Sequence, residues 1–219
     1  MIASATLAVL ALLCVALLRN RTQVDAVREV LAGVAGSQPM AGRFFSNTDN
    51  PEEIKELVLR SREVWLHGAT IQLHLSSLTR ILRTEVPAGL RVKILVIEPW
   101  GTAMDIAAHQ SGAMTAEELS RTLEANLQRL LLPIPGDVRG SLEVRTVNYV
   151  PPYTIFAYDP AEAHGQLEMR LAQFHGDLWK RPTFRLLRSR DAHWYNFFRH
   201  HFEELWESGS PRGSLSQTP

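Results

Sequence analysis

Two acidic residues, Glu98 and Asp159, each close a run of apolar residues, and each is followed by proline. The runs that precede them, "ILVI" and "YTIFAY", are typical of buried strands. In open α/β sheets ligands bind outside the carboxyl ends of parallel strands, where an acid can accept hydrogen bonds from a ligand. If both strands run in the same direction, the two acids face one crevice. The ordinary alternative is that each acid caps a helix or forms a turn.

Other patterns that carry chemistry are missing from the sequence. It contains neither a GxxxxGK[ST] nor a GxGxxG phosphate loop, and no HExxH or GxSxG motif. The eight histidines are scattered. His200 and His201 are adjacent, but on a helix they project about 100° apart and do not easily share a ligand site. The one cysteine, Cys14, excludes an internal disulfide and a cysteine-based zinc site. We therefore predict no metal and no cofactor.

The charge balance bears on the partners. The chain has 23 basic and 23 acidic residues among 219, and its hydrophobic fraction of 45% suits one globular domain. Because no basic footprint is visible, we expect no nucleic acid as a partner. Four arginines cluster before the last predicted helix, and we interpret them as solvated loop residues, with a phosphate contact as the alternative. They are Arg181, Arg185, Arg188 and Arg190.

The first residues form an uncharged apolar stretch, Ile2 to Leu18, which as a helix would span roughly 26 Å. A cleaved signal peptide would need a basic start and a small-residue cleavage site, and neither is evident. A lipoprotein site at Cys14 would need small residues before it, where two leucines stand. We therefore predict a membrane anchor. Arginines follow the stretch and none precedes it, so the positive-inside rule places the N-terminus outside and the remainder in the cytoplasm.

Strands and helices alternate along the remainder of the chain. "NPEE" at Asn50 opens a helix with an N-cap, and "TAEE" at Thr115 is a capping box. In "QLEMRL", Glu168 and Arg170 alternate with apolar residues, which indicates a strand with one wet face. The order predicts an α/β fold with a mixed sheet flanked by helices. The predicted divisions are a transmembrane anchor at 1–18, a linker at 19–50, the α/β domain at 51–208 and a disordered tail at 209–219.

Several segments together resemble a phospholipase D-like domain of the bacterial kind. They are "REVWLHGATIQLHLSSLTRILRTEVPAGLRVKILVIEP", "SLEVRTVNYVPPYTIFAYDP" and "RPTFRLLRSRDAHWYNFFRHHFEELWE". The family signature is H-x-K-x-x-x-x-D, in which the histidine attacks phosphorus and the lysine steadies the phosphate oxygens. Asp159 fits its last position. Pro152 and Thr154 stand where the resemblance would place the histidine and the lysine, and the sequence contains no second signature.

The resemblance implies a layered fold that has lost the chemistry of its family, because proline is no nucleophile and threonine carries no positive charge. We expect a membrane-anchored, non-catalytic module with a crevice near Glu98, Trp100, Tyr153 and Asp159. Its expected partners are the lipid bilayer, through residues 2–18, and a small phosphorylated ligand or a protein. The family's habit of joining two halves suggests a homodimer. Two alternatives stay open: an active phosphodiesterase or phosphatidyl transferase with a non-standard site, and a membrane-tethered scaffold without a small ligand.

Overall fold

The computed structural model describes residues 44–46, 50–133, 137–176 and 181–215, with only the backbone of Gln72 and Leu73. The predicted anchor at 1–18 and nearly all of the predicted linker lie outside these residues. No helix within the described residues is long and apolar enough to cross a membrane.

The described residues form five helices, and local sequence explains where two of them begin. Asn50 accepts a hydrogen bond from the backbone N–H of Glu52 at the start of the first helix. Thr115 and Glu118 form the predicted capping box, each bonded to the other's backbone. The helices are α1 (Pro51–Arg60), α2 (Gln72–Ala88), α3 (Thr102–Ser111), α4 (Ala116–Leu130) and α5 (Ala192–Ser208).

Seven strands form one mixed sheet in the order β6-β5-β4-β1-β2-β3-β7. The central strands β1, β2 and β3 are parallel, and every other neighbouring pair is antiparallel. We call the edge at which β1–β3 end and β4 begins the carboxyl edge, and the opposite one the amino edge. The strands are β1 (Glu63–His67), β2 (Arg91–Ile97), β3 (Ser141–Val147), β4 (Tyr153–Tyr158), β5 (Gln166–Leu171), β6 (Thr183–Leu187) and β7 (Ser210–Leu215).

The sheet separates two hydrophobic cores. The larger core packs apolar residues of α1 to α4 against one face, around Leu66, Ile94 and Phe156. The smaller core packs α5 against the other face, where Phe202 stacks on Trp65 at 4.6 Å between ring centroids. Both faces of the central strands are therefore covered, which explains their continuous apolar runs.

The prediction of a mixed sheet flanked by helices is confirmed. The predicted disordered tail at 209–219 is wrong for residues 210–215, which form β7 alongside β3. The domain also extends before residue 51, because Ser46 bridges to Thr183 of β6 through two backbone hydrogen bonds of 2.7 and 3.0 Å.

Candidate functional site

A cavity of about 280 Å³ opens at the carboxyl edge, on the face of the sheet that carries the larger core. It lies between β4 and β5 on one side and α2, α3 and α4 on the other. Crevices outside strand ends are the usual ligand sites of open α/β sheets. The residues that line it are Ala69, Thr70, Ile71, His74, Ala107, Gln110, Ser111, Ala113, Met114, Leu119, Pro151, Tyr153, Thr154, Arg170, Ala172, Gln173 and Arg181.

The two sides of the cavity differ in chemistry. The helical side is mainly apolar where α3 meets α4, with Ala107, Met114 and Leu119. The strand side carries Arg170 on β5 and Arg181 just before β6. No acidic side chain is among the described residues that line it. The cavity is therefore suited to a small anion that also has an apolar part.

Arg170 is held rigidly by a buried ion pair. Its guanidinium donates from Nε and Nη2 to Oε1 of Glu168, at 3.0 and 2.5 Å, and both side chains are 3% exposed. Glu168 Oε2 in turn accepts from Arg185 at 3.1 Å, and Arg185 also pairs with Glu53 of α1. The alternation of Glu168 and Arg170 thus reflects a buried charge network, not the wet strand face that the sequence indicates.

His74 lies beside Arg170 as a neutral ring. Its Nε2 lies 2.8 Å from Nη1 of Arg170, and since arginine only donates, Nε2 must be the acceptor. Burial, followed by the charges of Arg170 and Arg181, lowers the pKa of His74 to about 3. The ring of Phe156 contacts both groups, with His74 at 4.7 Å and the guanidinium of Arg170 at 4.6 Å. The lone pair of Nε2 is thereby engaged and is not free to attack phosphorus.

Helix α2 begins at the wall of the cavity. Its N-cap residue, Ile71, has φ of +40°, a left-handed conformation that is strained for a β-branched residue. Isoleucine also has no side chain that could cap the helix. The partial positive charge of a helix N-terminus therefore adds to the cationic side of the cavity.

The structure separates the predicted site residues. Tyr153 lines the cavity, although its ring packs on Phe198 and His201 of α5, and burial raises its pKa to about 12. Glu98 and Trp100 also lie at the carboxyl edge, but both are exposed and neither lines the cavity. Asp159 lies at the amino edge, because β4 runs antiparallel to β1. The expected crevice that brings Asp159 together with Glu98 does not form.

Asp159 makes hydrogen bonds that stabilise the fold. It ends β4 with φ of +47° and is 8% exposed. Its Oδ1 accepts hydrogen bonds from the backbone N–H groups of Arg62 and Glu63, at 2.8 and 3.0 Å, and Oδ2 lies 3.3 Å from Nε2 of His164. The turn-forming alternative is therefore the one that the structure supports, since Asp159 fixes the start of β1.

The two substituted signature positions lie at the carboxyl edge. Thr154 is buried, lines the cavity and pairs directly with Arg170 across β4 and β5. Pro152 is exposed and accepts a backbone hydrogen bond from Ala172. Cationic groups next to Thr154 thus come from the neighbouring strand. The sequence missed Arg170 and His74 as site residues, and among the clustered arginines only Arg181 lines the cavity.

Comparisons with known proteins found no family match and a distant structural likeness. No family model matches the chain, and a search of curated proteins found no match. Among solved structures the chain is similar to TrmBL2, described as an archaeal chromatin protein with a novel mode of DNA binding. The identity is 14%, the TM-score is 0.42, and the match covers 89% of this chain. The chain spans 63% of the length of that protein.

This likeness bears on the expected partners. The prediction that excludes nucleic acid is contradicted by a structural neighbour that binds DNA, and we withdraw it. At this TM-score and identity the likeness is too distant to assign a ligand to this chain.

Proposed function

We propose that the protein is a membrane-anchored, non-catalytic module that binds a small phosphorylated ligand in the cavity at the carboxyl edge. The observation that carries the proposal is that Arg181 and the start of α2 line a cavity whose described lining has no acid, with Arg170, itself paired to Glu168, beside them. Arginine recognises phosphate through charge-assisted, often bidentate hydrogen bonds. The mainly apolar helical side would accept a short carbon chain or ring attached to the phosphate.

The proposed relation to phospholipase D-like proteins is that of a domain without their reaction. Its support is Pro152 and Thr154 at the signature positions, together with the environment of the polar groups in the cavity. His74 accepts from Arg170. The raised pKa of Tyr153 keeps its hydroxyl protonated. No activated nucleophile is present among the described residues that line the cavity.

The placement of the protein follows from the sequence. The apolar stretch at residues 2–18 would anchor the chain, and the arginines after it would keep the α/β domain in the cytoplasm. A ligand with a phosphate and an apolar part is chemically consistent with a site near a membrane.

Binding is tested with the full chain in detergent, titrated calorimetrically with inorganic phosphate and with a short-chain alkyl phosphate. Arg181→Gln should weaken binding of both by tenfold or more, because a hydrogen bond to a charged group contributes about 1.5–3 kcal/mol. The matched control is Arg188→Gln, since Arg188 lies outside the cavity and donates to the carbonyl of Ala161. Absence of binding, or equal weakening by the two substitutions, would rule out this site.

Catalysis is tested separately with bis(4-nitrophenyl) phosphate. We expect no turnover from the wild-type chain. Turnover that disappears in His74→Asn, while the unfolding midpoint is unchanged, would show that the module is an enzyme. Asp159→Ala is unsuited to this test because Asp159 lies at the amino edge and supports the fold.

A further inference from the structure

A continuous row of aromatic rings runs from the start of the described fold onto α5. Phe45 contacts Phe184 of β6 at 5.8 Å, and Phe184 lies 6.2 Å from Phe198 of α5. Phe198 contacts Phe197 at 5.1 Å, and Phe197 lies 6.0 Å from Trp194. We call these five residues the aromatic strip.

The strip is open to solvent at its two ends. Trp194 and Phe197 are 57% and 55% exposed, and Phe45 is 39% exposed. Phe184 and Phe198 are half-buried and join these ends to the smaller core. Exposed apolar residues are common when they stand alone, but the largest connected apolar patch of a protein is often functional.

We propose that the aromatic strip contacts the surface of the lipid bilayer. This inference rests on the membrane anchor of the proposed function. Phe45 belongs to the strip, so the chain that would connect the domain to the predicted anchor at 2–18 enters the fold within this patch. Trp favours the boundary between water and lipid, and Phe is among the residues by which surface-bound helices enter the lipid.

Two further observations favour a bilayer over a second copy of the chain. Three half-exposed aromatic side chains present roughly 300 Å² of surface, whereas a stable protein interface buries about 800 Å² per partner. In addition, the segment of α5 from Ala192 to Phe202 carries Arg199 and three histidines and no acidic residue, while Asp191 and Glu203 flank it and Glu203 pairs with Arg199 at 2.7 Å. The part of α5 that carries the strip therefore has no excess of negative charge that would repel anionic lipid headgroups.

The test uses the full chain reconstituted in vesicles of phosphatidylcholine and phosphatidylglycerol, with or without bromine on the acyl chains. Brominated lipid quenches tryptophan fluorescence only at close approach. Of the other tryptophans, Trp65 and Trp206 are buried. Trp179 lies outside the described residues, and it is unchanged in every variant. We expect quenching in the wild type and loss of the quenched component in Trp194→Phe.

Trp100→Phe is the matched control. Trp100 is 60% exposed, much like Trp194, but it follows β2, four strands from β6 and thus roughly 19 Å along the sheet. Quenching should persist in this variant. If the chain floats with the vesicles and the two variants are quenched like the wild type, the strip does not contact lipid.

Two other outcomes are distinct from that one. If the chain does not float with the vesicles at all, the anchor of the proposed function fails, and this inference fails with it. The second outcome is that cross-linking yields dimers, that Phe197→Ser abolishes them, and that brominated lipid leaves Trp194 unquenched. The strip is then covered by a second copy of the chain, and the bilayer contact is refuted. Equal unfolding midpoints of the variants would show that each one is folded.

Discussion

At the scale of single residues, Asp159 should act on stability and not on ligand binding. Asp159→Ala removes two partly buried hydrogen bonds to the amides of Arg62 and Glu63 and places alanine at a positive φ. We expect the free energy of unfolding to fall by about 2–4 kcal/mol. Each charge-assisted hydrogen bond contributes about 1.5–3 kcal/mol, and part of this is regained when water binds the two freed N–H groups. Urea unfolding measures the loss.

Asp159→Asn is the control for this prediction. Asparagine retains an Oδ1 acceptor and tolerates the left-handed conformation, so this variant should lose less than about 1 kcal/mol. Equal losses in the two variants would contradict the hydrogen-bond explanation. Loss of phosphate binding at unchanged stability would instead make Asp159 part of the site.

The types of these residues could be read from the sequence, but their positions could not. The apolar runs that end at Glu98 and Asp159 form strands, and Tyr153 and Thr154 are among the residues that line the cavity. The direction of β4 relative to β1 depends on pairing between distant segments, which no local pattern specifies. The sequence predicts a solvent-facing Arg170 because alternation does not distinguish a wet face from a buried ion pair.

At the scale of elements, β7 should protect the edge of β3. Deleting residues 210–219 removes the strand and the ion pair of Arg212 with Glu124 at 2.5 Å, and it exposes the hydrogen-bonding groups of β3. Unpaired strand edges invite association, so we expect a lower unfolding midpoint and aggregation during refolding. Light scattering and thermal unfolding measure both effects.

The control deletion removes residues 216–219 alone and keeps β7. We expect this variant to have the same unfolding midpoint as the full-length chain, and the longer deletion to have a lower one. If the two deletions behave alike, β7 contributes nothing to stability.

Local signals explain why helix starts were easier to predict than β7. Asn50 and the capping box at Thr115 act through hydrogen bonds within a few residues, so their sequence is sufficient. "SPRGSL" has no strand periodicity, and its place depends on pairing with β3 and on Leu131. A β-carbon at Gly213 would lie 2.7 Å from Cδ1 of Leu131, so a larger residue in this strand would require that side chain to shift.

At the scale of the whole molecule, one sheet joins two cores, and a histidine packs against each: His67 is buried and His74 is half-buried. His74 lies on the side of α1–α4 against Phe156. His67 lies on the side of α5, where Nδ1 contacts the carbonyl of Leu95 at 3.1 Å and the ring meets Phe202 edge-on at 6.2 Å. Nε2 of His67 has no hydrogen-bond partner among the described residues. Both rings are therefore in surroundings that oppose protonation.

Acid should consequently destabilise the fold through both cores. Burial lowers the pKa of His67 to about 4 and that of His74 to about 3, from the ordinary histidine value of 6.5. Between pH 6.5 and these lowered pKa values, the unfolded chain binds more protons than the folded chain. The two histidines therefore cost no stability above about pH 6.5, and the free energy of unfolding falls as the pH decreases below it. The loss approaches about 1.4 kcal/mol per pH unit for each histidine. Urea unfolding between pH 6.5 and 5 measures it, above the range in which the lowered carboxyl pKa values of Glu53 and Asp191 act.

His67→Asn should reduce this pH dependence by about half, since only His74 then contributes its share. The amide of asparagine can take the place of Nδ1 and donate to Leu95, so the variant keeps the hydrogen bond and loses the titrating ring. His193→Asn is the matched control, because that side chain faces water before and after unfolding. A slope in His67→Asn as steep as in the wild type, or a wild-type stability that is flat across this range, would show that these two histidines do not link the fold to pH.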